Sequence, residues 1–424
     1  MPRLRVVPAL FTGIVLSTTV GLTAGHGASR IGNRDRVFES TVAQIERLPY
    51  QPSYAPAGLD AAFPGQNVAN TAPAEDYTSG SIPGSADAPA WPAGFKQITI
   101  HSLDGAPLIA EFGRHAGRRP GVLVVHGFNT HGILSVIRWA AALYASGYDV
   151  LAADQRDFYY ENNAGYGYPK YLQTFGWKES QDVLAAGTYL RHLAGVTAVG
   201  VVGFSEGAQN TVLAMSMDRK HVFSAGITFS GPADQDTQIY STASPPSCAS
   251  PLCTFPATDA LIAVVVPPYG SYSNPCQVLD DAAAYYHVGA SSILAHESAM
   301  HAQTHVTAPL LNFYSADDSL VNPTAAAMMA AFERGSTLQR TLEISHGEHA
   351  YFFDRWWDQK AILVYFKKLL PVNRYTRTGP TVNQTPGGSS LSSQLVTIPK
   401  LTRAQANAKL APYICNTSLP PPAR

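Results

Sequence analysis

Gly200-Val201-Val202-Gly203-Phe204-Ser205-Glu206-Gly207 is the stretch on which the reading of this 424-residue chain turns. The β-branched Val196, Thr197 and Val199 precede it, and a small-residue run of helical character follows at once. G-x-S-x-G between a strand and a helix is the pattern of a nucleophile elbow. The reason for the spacing is steric. Gly203 and Gly207 lack the Cβ atoms that would clash where strand and helix cross closely. Ser205 Oγ is thereby lifted above the sheet, next to the N-terminus of the helix. The same five residues also arise by chance in loops rich in glycine and serine, so the surrounding chain has to supply the context.

That context is an alternation of strands and helices. Residues 96–101 (KQITIH) and 107–112 (PLIAEF) read as a strand pair around Asp104-Gly105. Residues 121–126 (GVLVVH), 148–154 (YDVLAAD) and 196–204 are apolar runs of the kind found in buried parallel strands, and 223–230 (FSAGITFS) is the next strand. Helical patterns lie at 133–146, 177–193 and 206–217. The alternation then stops from 231 to about 307, a Pro- and Cys-containing piece with two helical segments. It resumes with a strand at 309–314 (PLLNFY), a helix at 324–334, a strand at 339–344 (QRTLEI) and a helix at 353–370. Eight strands interleaved with helices predict a doubly wound, mostly parallel sheet, with a cap inserted after the sixth strand.

A serine hydroxyl is a weak nucleophile at neutral pH and needs a general base, which in turn needs an orienting acid. Both should sit in loops at the carboxyl ends of later strands, where ligands meet an open parallel sheet. One such loop reads Ser315-Ala316-Asp317-Asp318-Ser319-Leu320-Val321, and the other reads Ser345-His346-Gly347-Glu348-His349-Ala350-Tyr351.

With these residues in view, the chain from about 95 to 370 resembles the α/β-hydrolase superfamily, in particular its dienelactone-hydrolase-like and prolyl-oligopeptidase-like esterase branches. In that family the acid follows its strand as D-x-x-V, often with a proline soon after. Asp318-Ser319-Leu320-Val321-Asn322-Pro323 fits this register better than Asp317 does. The family's histidine is commonly followed by a small residue and then aromatics, as His349-Ala350-Tyr351-Phe352 is. The resemblance therefore implies Ser205 as nucleophile, His349 as base and Asp318 as its orienter, with Asp317 and His346 as the competing assignments. Attack on a carbonyl also calls for two N–H donors to the developing oxyanion. One is the backbone of Glu206. His126-Gly127 resembles the family's H-G signature, which points to the backbone of Phe128 as the other. A carboxylate at position 206 departs from the bulky neutral residue or histidine frequent there, although the helix dipole favours it. Asp154-Gln155-Arg156-Asp157 resembles the family's D-x-R-G turn with Asp157 in place of glycine, and Arg156 is expected to pair a nearby carboxylate.

Composition narrows the field. Lys plus Arg number 29 against 30 Asp plus Glu, and charged residues make up 14% of the chain, so no basic stripe points to nucleic acid. Met1-Pro2-Arg3-Leu4-Arg5, an apolar stretch to about Ala24 and small residues after it read as a secretory signal over 1–28. The protein is then expected to be secreted or periplasmic, without stable membrane insertion once the signal is cleaved. Four cysteines fit an oxidising compartment; three pairings are open to them, of which Cys248–Cys253 with Cys276–Cys415 is the one we expect. The remaining organisation is an N-terminal extension over 29–94 with a short helix near 37–48, core segments at 95–231 and 308–370, the cap at 232–307, and a tail over 371–424 that wraps the surface. No cofactor and no metal are implied. His296-Glu297-Ser298-Ala299-Met300-His301 is one residue longer than the H-E-x-x-H zinc spacing, so it reads as a polar helix face. The expectation is a secreted serine hydrolase that cleaves a small-molecule carboxylic ester through an acyl-enzyme. The alternatives are a peptidase of the prolyl-oligopeptidase-like kind and a non-catalytic binding protein on the same fold.

Overall fold

The computed structural model describes residues 25–50, 91–127, 132–156, 172–235, 282–318, 321–322, 324–334, 338–347, 349, 355–372 and 389–411. Ten strands and nine α-helices have both ends among them, and residues 282–285 are helical as well. Strands β1 (Pro49–Tyr50) and β10 (Ser389–Ser390) form a small antiparallel pair. The other eight make one sheet: β2 (Phe95–His101), β3 (Pro107–Gly113), β4 (Arg119–Val125), β5 (Asp149–Ala153), β6 (Val196–Phe204), β7 (Phe223–Phe229), β8 (Leu310–Ser315) and β9 (Gln339–Ile344). Their spatial order is β2-β3-β5-β4-β6-β7-β8-β9. β3 is antiparallel to both of its neighbours, and every pairing from β5 to β9 is parallel. This is the eight-stranded, mostly parallel sheet that the alternation predicts.

The helices are α1 (Gly25–Glu46), α2 (Ile137–Ala145), α3 (Glu179–His192), α4 (Glu206–Met217), α5 (Ala290–Leu294), α6 (Ala299–Ala302), α7 (Ala325–Phe332), α8 (Arg355–Leu369) and α9 (Arg403–Leu410). They cover both faces of the sheet, and the period-2 geometry of the strands explains how. Val122 and Val124 of β4 and Val202 and Phe204 of β6 point to one face, where Phe38 of α1, Trp139 of α2 and Trp357 and Phe366 of α8 pack on them. Leu123, Val125, Val199 and Val201 point to the other, against Val183 of α3, Val212 of α4 and Met328 of α7. Each such side chain contributes about 1.5–3 kcal/mol when fully buried, so the central strands are apolar on both faces.

Two elements differ from the sequence expectation. The helix expected near 37–48 is the longer α1. The helix expected over 133–146 begins as a 3-10 turn, Gly132–Val136, before α2 proper. Between β7 and β8 the described residues, 230–235 and 282–309, include α5, α6 and a 3-10 turn at Gln303–His305. Among the described residues no helix is long and apolar enough to cross a membrane. The four cysteines, most of the expected signal segment and Phe128 lie outside the described residues.

Candidate active site

The turn from β6 into α4 sets the site. Ser205 has φ 55° and ψ −127°. For a residue with a Cβ this is a strained backbone, which persists only where its surroundings over-determine it. Here they do. The Ser205 N–H donates to the Phe229 carbonyl at 2.8 Å, continuing the β6–β7 pairing through the turn. A Cβ on Gly203 would lie 2.3 Å from the Gly207 carbonyl oxygen, and one on Gly207 would lie 2.1 Å from that of His126. Both glycines are therefore required by close backbone approach, as the elbow pattern predicts.

The structure brings Ser205, His349 and Asp318 together. His349 Nδ1 lies 3.0 Å from each carboxylate oxygen of Asp318, and Nε2 lies 2.7 Å from Ser205 Oγ. An ionised carboxylate can only accept, so Nδ1 carries the proton. The neutral ring then presents a lone pair at Nε2 to the serine hydroxyl. His349 and Asp318 are both buried, and the Val321 N–H donates to Asp318 Oδ1 at 2.8 Å. The competing residues pair with one another instead. His346 Nδ1 lies 3.2 Å from Asp317 Oδ2, with the His346 side chain 62% exposed. Asp317 Oδ1 also accepts the Gly347 N–H at 3.0 Å, which ties the loop after β9 to the loop after β8.

The remaining predicted residues fall around this centre. Glu206 is the first residue of α4, where helix N–H groups have no intrahelical acceptor. Its carboxyl is buried, with Gln173 Nε2 2.9 Å from both oxygens. Burial first, and then the charge of Glu179, push Glu206 up to about 8, against the lowering effect of hydrogen bonds from Gln173 and Asn210. His126 is fully buried, with Nδ1 2.7 Å from the Gly127 carbonyl and Nε2 2.8 Å from Asp154. It fixes the loop that leads to residue 128.

Arg156 pairs as expected. Its side chain is fully buried, 2.6 Å from Asp182 and 2.9 Å from Asp104. Tyr286, from the segment before β8, lies 3.3 Å from the same guanidinium and donates to the Leu172 carbonyl at 2.9 Å. The 296–305 stretch is not the polar helix face expected, since α6 begins only at Ala299 and Glu297 is fully buried, and two of its histidines have partners elsewhere. His296 stacks on Trp177 at 5.1 Å, and His301 lies 2.8 Å from Asn407 Oδ1. Among the described residues no group of three or more His, Cys, Asp or Glu is arranged to hold a metal ion. The hold of Gln173 on Glu206 and the nearby charge of Glu179 have no sequence signature, because neither spacing nor residue type announces them.

The strand order, the helices on both faces and a serine on a strained strand-to-helix turn define the α/β-hydrolase fold. No family model and no curated protein matches the sequence. Solved structures do match in part. An esterase of Pyrococcus furiosus is 17% identical with a TM-score of 0.42, over 65% of this chain and 93% of its own. A Pyrobaculum calidifontis esterase is 13% identical with a TM-score of 0.42, over 80% of this chain and 93% of its own. The acylaminoacyl peptidase of Pyrococcus horikoshii is 16% identical with a TM-score of 0.44, over 66% of this chain and 42% of its own. At such identities none of these activities carries over to this chain.

Proposed function

We propose that the protein is a serine hydrolase that cleaves carboxylic esters, with Ser205 as nucleophile, His349 as general base and then acid, and Asp318 as the group that holds the imidazole. The observation that carries this reading is the unbroken chain Asp318–His349–Ser205, at 3.0 and 2.7 Å, on a strained elbow. His349 Nε2 takes the Ser205 proton as Oγ attacks the ester carbonyl. The negative charge that builds on the carbonyl oxygen is met by backbone N–H groups of Glu206 and Phe128. His349 then protonates the leaving alcohol, and the acyl group stays on Ser205. A water, deprotonated by the same imidazole, releases the acid and restores the serine. The substrate is a small-molecule ester, residues 232–307 are a cap over the site, and the protein is exported on the strength of its N-terminal pattern.

Purified protein and Ser205→Ala are treated with a fluorophosphonate probe and assayed on p-nitrophenyl esters of several chain lengths. Wild-type protein is expected to label and turn over. In Ser205→Ala labelling is expected to vanish and kcat to fall about a thousandfold or more. Labelling that persists in the variant sinks the nucleophile assignment.

A further inference from the structure

β9 lies three strands from β6 in the sheet. At a spacing of about 4.8 Å per strand, the loop that carries His349 starts roughly 14 Å from the strand that carries Ser205. It must lean back across the carboxyl edge to place Nε2 at 2.7 Å from Oγ. Connecting loops move more than the elements they join, and a misplacement of about 1 Å at a reacting group can cost about a hundredfold in rate. Something has to hold this loop.

Three groups grip it. From the loop after β8, Asp317 accepts the Gly347 N–H. From the segment before the sheet, the Tyr50 hydroxyl donates to the His346 carbonyl at 2.5 Å. From the segment after α8, Gln394 takes both polar groups of Ser345, its carbonyl accepting the N–H at 2.8 Å and its Oε1 accepting the hydroxyl at 3.0 Å. The two outer grips are joined to each other, because Tyr50 pairs with Ser389 across β1–β10 and the Leu391 N–H donates to the Leu48 carbonyl at 2.8 Å. Tyr50 is 1% exposed, with its ring edge-on to Trp357 at 5.3 Å. A phenylalanine would fill that space equally well. What the hydroxyl adds is a tie to the backbone three residues before the base.

We propose that Tyr50 and Gln394 are positioning residues for His349: the paired segments outside the sheet brace the loop so that the imidazole stays between Asp318 and Ser205. This rests on the serine-hydrolase reading above. Neither residue touches the reacting atoms, and both act through the backbone of 345–346.

The test compares wild type, Tyr50→Phe and Gln394→Ala. The readouts are kcat and KM on a p-nitrophenyl ester, fluorophosphonate titration of active sites, thermal melting, and the downfield imidazole N–H resonance of His349, assigned by its absence in His349→Gln. In Tyr50→Phe, kcat per titrated site is expected to fall about tenfold with KM and the melting temperature little changed, and the downfield resonance to broaden. Gln394→Ala is expected to move both readouts the same way by less. Unchanged kcat and resonance in both variants overturn the brace. So does a loss of activity accounted for wholly by fewer titratable sites or a lower melting temperature. Wild-type protein that shows the resonance but hydrolyses no ester sinks the ester reading alone, and the resonance in Tyr50→Phe then decides the brace by itself.

Discussion

At the scale of single residues, the meeting of Ser205, Asp318 and His349 was foreshadowed because each sits in a local pattern: a glycine-flanked serine, an acid with a valine three residues on, a histidine before a small residue and aromatics. Glu206 was singled out in the sequence for its backbone N–H, and nothing there marked its carboxyl as one that burial would push up. Its carboxyl is set by Gln173 and Glu179, which approach it only in the folded chain. The consequence can be measured. Burial and the Glu179 charge raise this group from the ordinary value of 4.5 to about 8. Between those two values the unfolded chain has released the proton and the folded chain still holds it, so rising pH favours unfolding. Above about 8 the difference is constant. Glu206→Gln removes this contribution while keeping the amide-sized side chain beside Gln173. From about pH 5 to about pH 8.5 the variant's melting temperature should therefore fall by roughly 2–5 °C less than that of the wild type in a thermal melt. Parallel curves for the two proteins would show that Glu206 is ionised in the fold.

At the scale of elements, apolar runs found the eight strands, because strands buried on both faces leave little room for polar residues. Helix limits were less legible. The stretch that opens α1 carries Gly25, Gly27 and Gly32, weak helix formers that give no signal, and the helix packs against α8. The crossing of β6 and α4 is the element-level feature that a single atom can break. Gly207→Ala puts a methyl group against the His126 carbonyl, where backbone rather than a flexible side chain would have to move. We expect a loss of about 3 kcal/mol in urea denaturation and slower fluorophosphonate labelling. Gly32→Ala, in α1 with nothing within 4 Å of the new Cβ, should instead raise stability by about 0.5–1 kcal/mol.

At the scale of the whole molecule, the sheet and the loops at its carboxyl edge followed from the order of the elements. What joins distant segments did not, because a contact between residues hundreds of positions apart leaves no mark in either neighbourhood. Arg156 was an intermediate case: the turn it sits in pointed to a carboxylate partner, but not to three segments meeting on one guanidinium. It holds Asp182 of α3, Asp104 of the β2–β3 turn and Tyr286 of the segment before β8. Arg156→Met would leave Asp182, itself 1% exposed, without its counter-charge and should cost about 3–5 kcal/mol in urea denaturation. Adding Asp182→Asn to that variant should recover part of the loss, and equal stability of wild type and Arg156→Met would show that the cluster contributes nothing net. The segment after α8 has one further consequence. β9 ends the sheet, and an end strand carries a row of N–H and C=O groups on which another chain can build. Here that row is partly taken: Ile344 bridges Leu395, and the Val396 N–H donates to the Glu343 carbonyl at 2.9 Å. The residues that follow Gln394, which holds the histidine loop, therefore cover part of one margin of the sheet. A nick that freed them would expose a sticky edge as it loosened the loop that carries His349.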